Sequence, residues 1–223
     1  CVTRRQRQMC IRDRFYFTKL LIEMIVDFIF DVASPNTYFA HKLIPDFEKR
    51  TGVKFDYIPC LLGGIHKMTN NQPPFIAYAD CKNKSDYQMH EIERFVKQHN
   101  LTKYKFNSHF PPVTIQVQRG AIAAKELGIF EEYIESMLKA MWEEDKNISD
   151  INVLQEVLSD NGFDVEAIIE IVTSQPCKDK LIANTDSAVS KGAFGVPTFF
   201  LDDQIFFGKD HLYQLEEYIN SKK

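Results

Sequence analysis

Residues 25–32, "IVDFIFDV", are apolar on both faces apart from Asp27 and Asp31, and predict a buried strand. Helical spacing takes over in "SPNTYFAHKLIPDFEKRTG", where Tyr38, Leu43 and Phe47 fall on one side. Ser34 is a suitable N-cap, a role worth about 1 kcal/mol. Pro35 suits the first helical position and Gly52 the end, while Pro45 predicts a kink. "VKFDYIP" (53–59) alternates again and predicts a second strand. A strand, a helix and a strand in this order predict a parallel pair joined by a right-handed crossover.

From about Asn83 to Lys191 most segments carry apolar residues at three/four spacing, among them "TIQVQRGAIAAKELG", "FEEYIESMLKAMWEED" and "DVEAIIEIVTS". Asp150 and Asp164 are helix starts, and Gly128 and Gly162 are stops. Strand signals return in "VPTFFLDD" (196–203) and "QIFFG" (204–208), a hairpin with Asp202 and Asp203 near its turn. "KDHLYQLEEYINSKK" closes the chain as a helix. The layout β-α-β, helical block, β-β-α is that of an α/β thioredoxin-like fold with an α-helical insertion. Residues 24–82 and 192–223 would form the thioredoxin-like part, and residues 83–191 the insertion.

The chain has 223 residues, 44% of them hydrophobic, enough for a substantial core. It shows no internal repeat and no low-complexity stretch. The net charge is -4, which offers nucleic acid no basic surface. Residues 1–23 hold six Lys/Arg against Asp13 and Glu23, a net of +4, which leaves -8 on the other 200. That leader mimics a signal peptide, but Lys19, Glu23 and Asp27 interrupt its apolar run and no cleavage site follows. The run is too charged to span a membrane. "RQRQMCIRDR" instead resembles translated sequencing-adaptor sequence, so residues 1–23 are expected to be non-native and Met24 the start. Five cysteines (1, 10, 60, 81 and 177) without C-x-x-C spacing exclude a disulfide framework and fit reduced, buried side chains in a cytoplasmic protein. The six histidines make no metal spacing, no metal site is expected, and Trp142 is expected in the core.

Two features carry chemistry. Val196-Pro197 enters a strand where proline fits a sheet centre poorly, and a cis bond there would turn the backbone and leave the peptide groups of Val196 free for a ligand. Ser34-Pro35-Asn36-Thr37 stands where most thioredoxin-like proteins place C-x-x-C, and without thiols it cannot exchange disulfides. Together "VDFIFDVASP", "LLGGIHKMTNNQPP", "KNKSDYQM", "FGVPTFFLDD" and "FFGKDHLYQLE" resemble the 2-hydroxychromene-2-carboxylate isomerases and the related kappa-class glutathione transferases, from Met24 to the C-terminus. The position after Pro35, often aromatic in that family, is Asn36, which alters the expected substrate wall.

The resemblance implies glutathione as cofactor, a small aromatic substrate, and a homodimer. A helix N-terminus favours an anion, so a bound thiolate would be stabilised at the start of this helix, with the Ser34 hydroxyl donating one more hydrogen bond. By motif position, Asn71, Lys84, Val196, Pro197, Lys209 and Asp210 would hold glutathione, with Asp210 taking its ammonium. Pro35, Asn36 and Lys67 would face the substrate. The implied reaction is an isomerisation in which glutathione is regenerated. A kappa-class-like transferase, and a non-catalytic thioredoxin-like binding module in which Ser34 only caps, are the alternatives.

Overall fold

The strand β1 (Ile25–Phe30) is covered on both sides, with Val26, Phe28 and Phe30 fully buried and Ile29 nearly so, which accounts for its unbroken apolar character. It lies inside a four-stranded sheet of order β2-β1-β3-β4 in a computed structural model that describes residues 24–223. The non-native leader expected at residues 1–23 falls outside the described residues. β2 (Lys54–Pro59) runs parallel to β1, from Ile25 opposite Lys54 to Phe30 opposite Pro59. β3 (Thr198–Leu201) is antiparallel to β1, with Phe28 opposite Phe199, and β4 (Gln204–Phe207) closes the hairpin at the sheet edge.

The helix α1 (Pro35–Thr51) has Pro35 in its first turn and ends at Gly52, whose φ of 69° admits the N–H to Glu48 bond. Pro45 lies inside this one continuous helix and does not divide it. Between β2 and β3 the described chain is helical throughout its elements: α2 (Leu62–Thr69), α3 (Pro74–Ala77), α4 (Lys84–Gln98), α5 (Ile115–Leu127), α6 (Phe130–Trp142), α7 (Ile151–Asp160), α8 (Val165–Thr173) and α9 (Gln175–Ser190). Asp150 and Asp164 cap α7 and α8 as the sequence predicts, and Ser174 caps α9. The closing segment begins with a 3-10 turn, Lys209–His211, before α10 (Leu212–Ser221).

The two central strands, β1 and β3, are shorter than predicted. β1 stops at Phe30 because the peptide groups of Val32 turn to side chains of α5 and α6, and β3 starts at Thr198, after the Val196-Pro197 cis bond. One core joins the sheet to the helices: Phe28 stacks on Phe199 at 5.0 Å, and Trp142, Tyr38, Tyr133 and Phe39 are buried around it. Each such side chain contributes about 2 kcal/mol through its burial. Cys60 and Cys177 are buried as expected; Cys81 departs from that expectation and is exposed, on the turn before α4.

Candidate active site

Three chain segments meet at the carboxyl end of β1. The first is the turn Asp31–Ser34, which leads into α1. Its backbone is anchored at every residue: Ser34 N–H donates to the Asp31 carbonyl at 3.1 Å, Ala33 N–H to Asp31 Oδ1 at 3.0 Å, and Val32 N–H to Gln118 Oε1 at 3.4 Å. The second segment carries Val196-Pro197, whose peptide bond is cis, as the sequence suggested. The third is the start of α2, where Leu62 N–H donates to Asp31 Oδ2 at 2.8 Å.

Ser34 occupies the N-cap position of α1, yet its hydroxyl makes no cap bond. It donates instead across the site to the Val196 carbonyl at 3.3 Å. The capping role expected of this side chain is therefore not the one it plays: the hydroxyl has turned toward the proline segment. At 3.3 Å the bond is long for O–H···O, so the proton is easily redirected to a stronger acceptor. The Val196 carbonyl, expected to be free, is the present acceptor of that proton. Ser34 is 5% exposed and Thr37, at the fourth position of the motif, is fully buried. Pro35 and Asn36 are half-buried between them.

Asp31 lies beneath this turn, 1% exposed. Burial pushes its carboxyl above the ordinary value, opposed by hydrogen bonds from Ala33, Leu62 and Thr114. Cys60, close by at the end of β2, is pushed up to about 12 by burial and then by the Asp31 charge. It stays protonated at neutral pH and offers no nucleophile. The reactive anion, if one binds here, must come from the ligand.

The other expected residues are distributed around the site. Asn71 is exposed and ties its loop to the segment before the cis bond, Nδ2 donating to the Phe194 carbonyl at 2.8 Å. Lys84 opens α4 with its ammonium 4.6 Å from the Tyr78 ring centre. Lys67 is exposed on α2. Lys209 is 3% exposed, and its ammonium is engaged by Glu91 of α4 at 2.6 Å and by Asp210 at 2.8 Å, above the Phe95 ring. Its charge is thus met within the fold. Asp210 keeps a 61% exposed side chain with its carboxylate held in place by Lys209.

Sequence reading missed Asp31, Gln118, Glu91 and the indole N–H of Trp142, which donates to the Val32 carbonyl at 2.9 Å. Gln118 carried a readable signal, being a polar residue on the buried side of α5 with Val117 and Ala121. From Trp142 an aromatic strip leads outward: Phe106 and Phe110 lie 6.0 and 6.2 Å from its ring, and Phe75 lies 5.4 Å from Phe110. Phe75 and Phe106 are each 43% exposed, so this strip of tilted and edge-on rings runs from the buried Trp142 to the surface. Among the described residues no three His, Cys, Asp or Glu side chains cluster as metal ligands, and no helix is long and apolar enough to cross a membrane.

The chain is 29% identical over 196 residues to a 2-hydroxychromene-2-carboxylate isomerase of Sphingobium xenophagum, spanning 87% of this chain and 97% of that protein. It is 24% identical to glutathione S-transferase kappa 1 of Rattus norvegicus, over 89% and 92% of the two chains. A solved 2-hydroxychromene-2-carboxylate isomerase superposes with a TM-score of 0.76 at 25% identity, covering 89% of this chain and 95% of the other. A probable DsbA oxidoreductase from Streptomyces coelicolor shares the fold, with a TM-score of 0.70 at 17% identity. Residues 25–220 match the DSBA-like thioredoxin domain as one unit, and the chain belongs to that family.

Proposed function

We propose that this protein is a glutathione-dependent isomerase of the 2-hydroxychromene-2-carboxylate type, with Ser34 stabilising the bound thiolate. The observation that carries the reading is the Ser34 hydroxyl, poised at the N-terminus of α1 and weakly bonded to the Val196 carbonyl beside a cis proline. The donor set suits glutathione. The positive end of α1 favours an anion. Pro35 lacks an N–H and the Thr37 N–H donates to the Ser34 carbonyl at 3.0 Å, so Asn36 is the first-turn donor left. The fixed Asp210 carboxylate offers an acceptor for an ammonium. The names of the isomerase and kappa-class relatives support both the reaction class and the cofactor.

Glutathione, when bound, supplies a thiolate nucleophile and is regenerated. The protein's residues do the rest. Ser34 swings its proton from Val196 to the sulfur and favours the charged form. The peptide groups of Val196 hold an extended backbone, while Asn71 keeps the α2–α3 loop against Phe194. Lys84 and Lys67 offer cations to carboxylates at the rim. Pro35, Asn36 and the Phe75–Phe110 strip face a small aromatic substrate. In this reading residues 24–82 and 192–223 form the glutathione-binding unit and residues 83–191 the insertion that walls the substrate.

The test is glutathione titration by calorimetry across about pH 5 to 9, wild type against Ser34→Ala. A lost hydrogen bond to a charged acceptor is worth about 1.5–3 kcal/mol, so the bound-thiol pKa should rise by about 1 to 2 units. No binding by the wild type at any pH would refute the enzyme reading. The similarity to kappa-class enzymes favours a second reading, a transferase; consumption of glutathione with a chloronitrobenzene would select it over isomerisation.

A further inference from the structure

Gln118 is a fully buried amide on α5 that makes three hydrogen bonds, each to the backbone around the Ser34 turn. Its Nε2 donates to the Phe30 carbonyl and to the Cys60 carbonyl, both at 2.9 Å, and its Oε1 accepts from Val32 N–H at 3.4 Å. Phe30 and Pro59 are the last paired residues of β1 and β2, so Gln118 sits where the two strands part. Its orientation is fixed by its partners: a flipped amide would set its oxygen against two carbonyls and its NH2 against an N–H. Trp142 of α6 completes the arrangement by donating Nε1–H to the Val32 carbonyl at 2.9 Å. Both peptide groups of Val32, two residues before Ser34, are therefore held by side chains from helices outside the sheet.

We propose that Gln118 and Trp142 are positioning residues for Ser34, fixing through Val32 the place of the hydroxyl and the direction of the α1 N-terminus. This rests on the thiolate-binding reading above. A buried amide could be present only to satisfy strand-end carbonyls. A positioning role predicts something more, namely a change in the thiol chemistry at a site that neither side chain touches. A hydrogen bond to a thiolate is steeply sensitive to donor placement, so slack at Val32 should be read as a weaker anion site.

The experiment uses the full chain with Gln118→Met, which keeps length and removes the polar atoms, and Trp142→Phe, which keeps an aromatic ring and removes the donor. Asp164→Ala, which deletes the Asp164-to-Ala167 cap of α8, serves as a control for lost stability alone. Expected are a glutathione affinity lower on the order of tenfold and a raised bound-thiol pKa in both positioning variants, with neither change in the control. Wild-type binding with affinity within about twofold and an unchanged thiol pKa in both variants would overturn the proposal. If Gln118→Met does not fold, Trp142→Phe carries the same expectation and the same refutation. If the wild type binds no glutathione, the functional reading falls, and amide exchange at Ala33 and Ser34 decides the positioning: faster exchange in the variants than in the control supports it, and equal exchange overturns it.

Discussion

Gly120→Ala should be among the most damaging small substitutions in this chain. A Cβ at Gly120 would stand 2.0 Å from Tyr133 Oη and 2.7 Å from its Cζ. Tyr133 is 1% exposed, and its hydroxyl donates to the Val117 carbonyl at 2.8 Å, one turn back on α5. Its ring also packs against Phe163, 6.2 Å between centres, so a sideways escape is obstructed. Overpacking of this kind costs about 1–3 kcal/mol, and loss of the Tyr133 hydrogen bond about 1 more. The better helix propensity of alanine returns about 1 kcal/mol, leaving a net loss of about 1–3 kcal/mol. In a domain of this size that lowers the melting temperature by about 2–12 °C. Urea unfolding followed by the fluorescence of Trp142, the single tryptophan and fully buried, measures it directly. Tyr133→Phe removes the atom that lies 2.0 Å away, so the double variant should cost less than the two single costs combined. A Gly120→Ala protein within about 0.5 kcal/mol of wild type, or strict additivity in the double variant, would refute the close-approach reasoning.

Glu135 links α6 to α1 through His41 and Lys42, and the His41 hydrogen bond, then Lys42, holds its carboxyl down at about 2 from the usual 4.5. A lowered folded-state pKa stabilises the fold above pH 4.5, and the contribution disappears as pH falls toward about 2. Because half the side chain is exposed, the effect is about 1 kcal/mol, and Glu135→Gln should flatten urea midpoints over that acid window; equal slopes in the two proteins would contradict this. Lys209→Met should leave stability within about 1 kcal/mol, since Glu91 and Asp210 can hydrate once the ammonium is gone, whereas Glu91→Ala should cost more by leaving a buried cation with one partner. Chemical denaturation of the two variants ranks them, and the reverse order would show that the carboxylates, not the ammonium, carry the desolvation. Asp210→Asn should weaken glutathione binding in calorimetry and also cost some stability, since it leaves the buried Lys209 ammonium with one charged partner; unaltered affinity would remove Asp210 from the ligand site.

Much of the architecture could be read from local pattern. Alternation and apolar runs located all four strands, and Asp150, Asp164, Gly52 and Gly128 marked helix ends through capping rules that act within a few residues. The short helices α2 and α3 lacked enough periodic positions to be seen, and the 3-10 turn at Lys209–His211 depends on how Lys209 packs. At the site, Ser34 and Val196-Pro197 were each legible as carrying chemistry, the one from its strand-to-helix turn and the other from a proline entering a strand. What the Ser34 hydroxyl bonds to was not, because capping statistics describe an isolated helix and the competing acceptor, Val196, lies far along the chain, in the segment before β3. By motif position Lys209 was expected to help hold glutathione; the partner that engages its ammonium, Glu91, lies on another helix and leaves no local trace. Asp31 was invisible as a functional position for the same reason, and Gln118 showed only as a polar residue on an apolar helix face, since the partners that give both their meaning depend on the folded chain.

The bond between Ser34 and Val196 spans 162 residues of sequence. During synthesis the first turn of α1 leaves the ribosome long before its counterpart exists, and the β1 strand waits for β3 to supply its second neighbour. The helices translated in between can pack locally while β1 remains open on one edge. A nascent or truncated chain lacking residues after about 196 would thus hold much of its helical mass without the contact between Ser34 and the proline segment. That contact forms in one late step, when roughly the last eighth of the polypeptide docks.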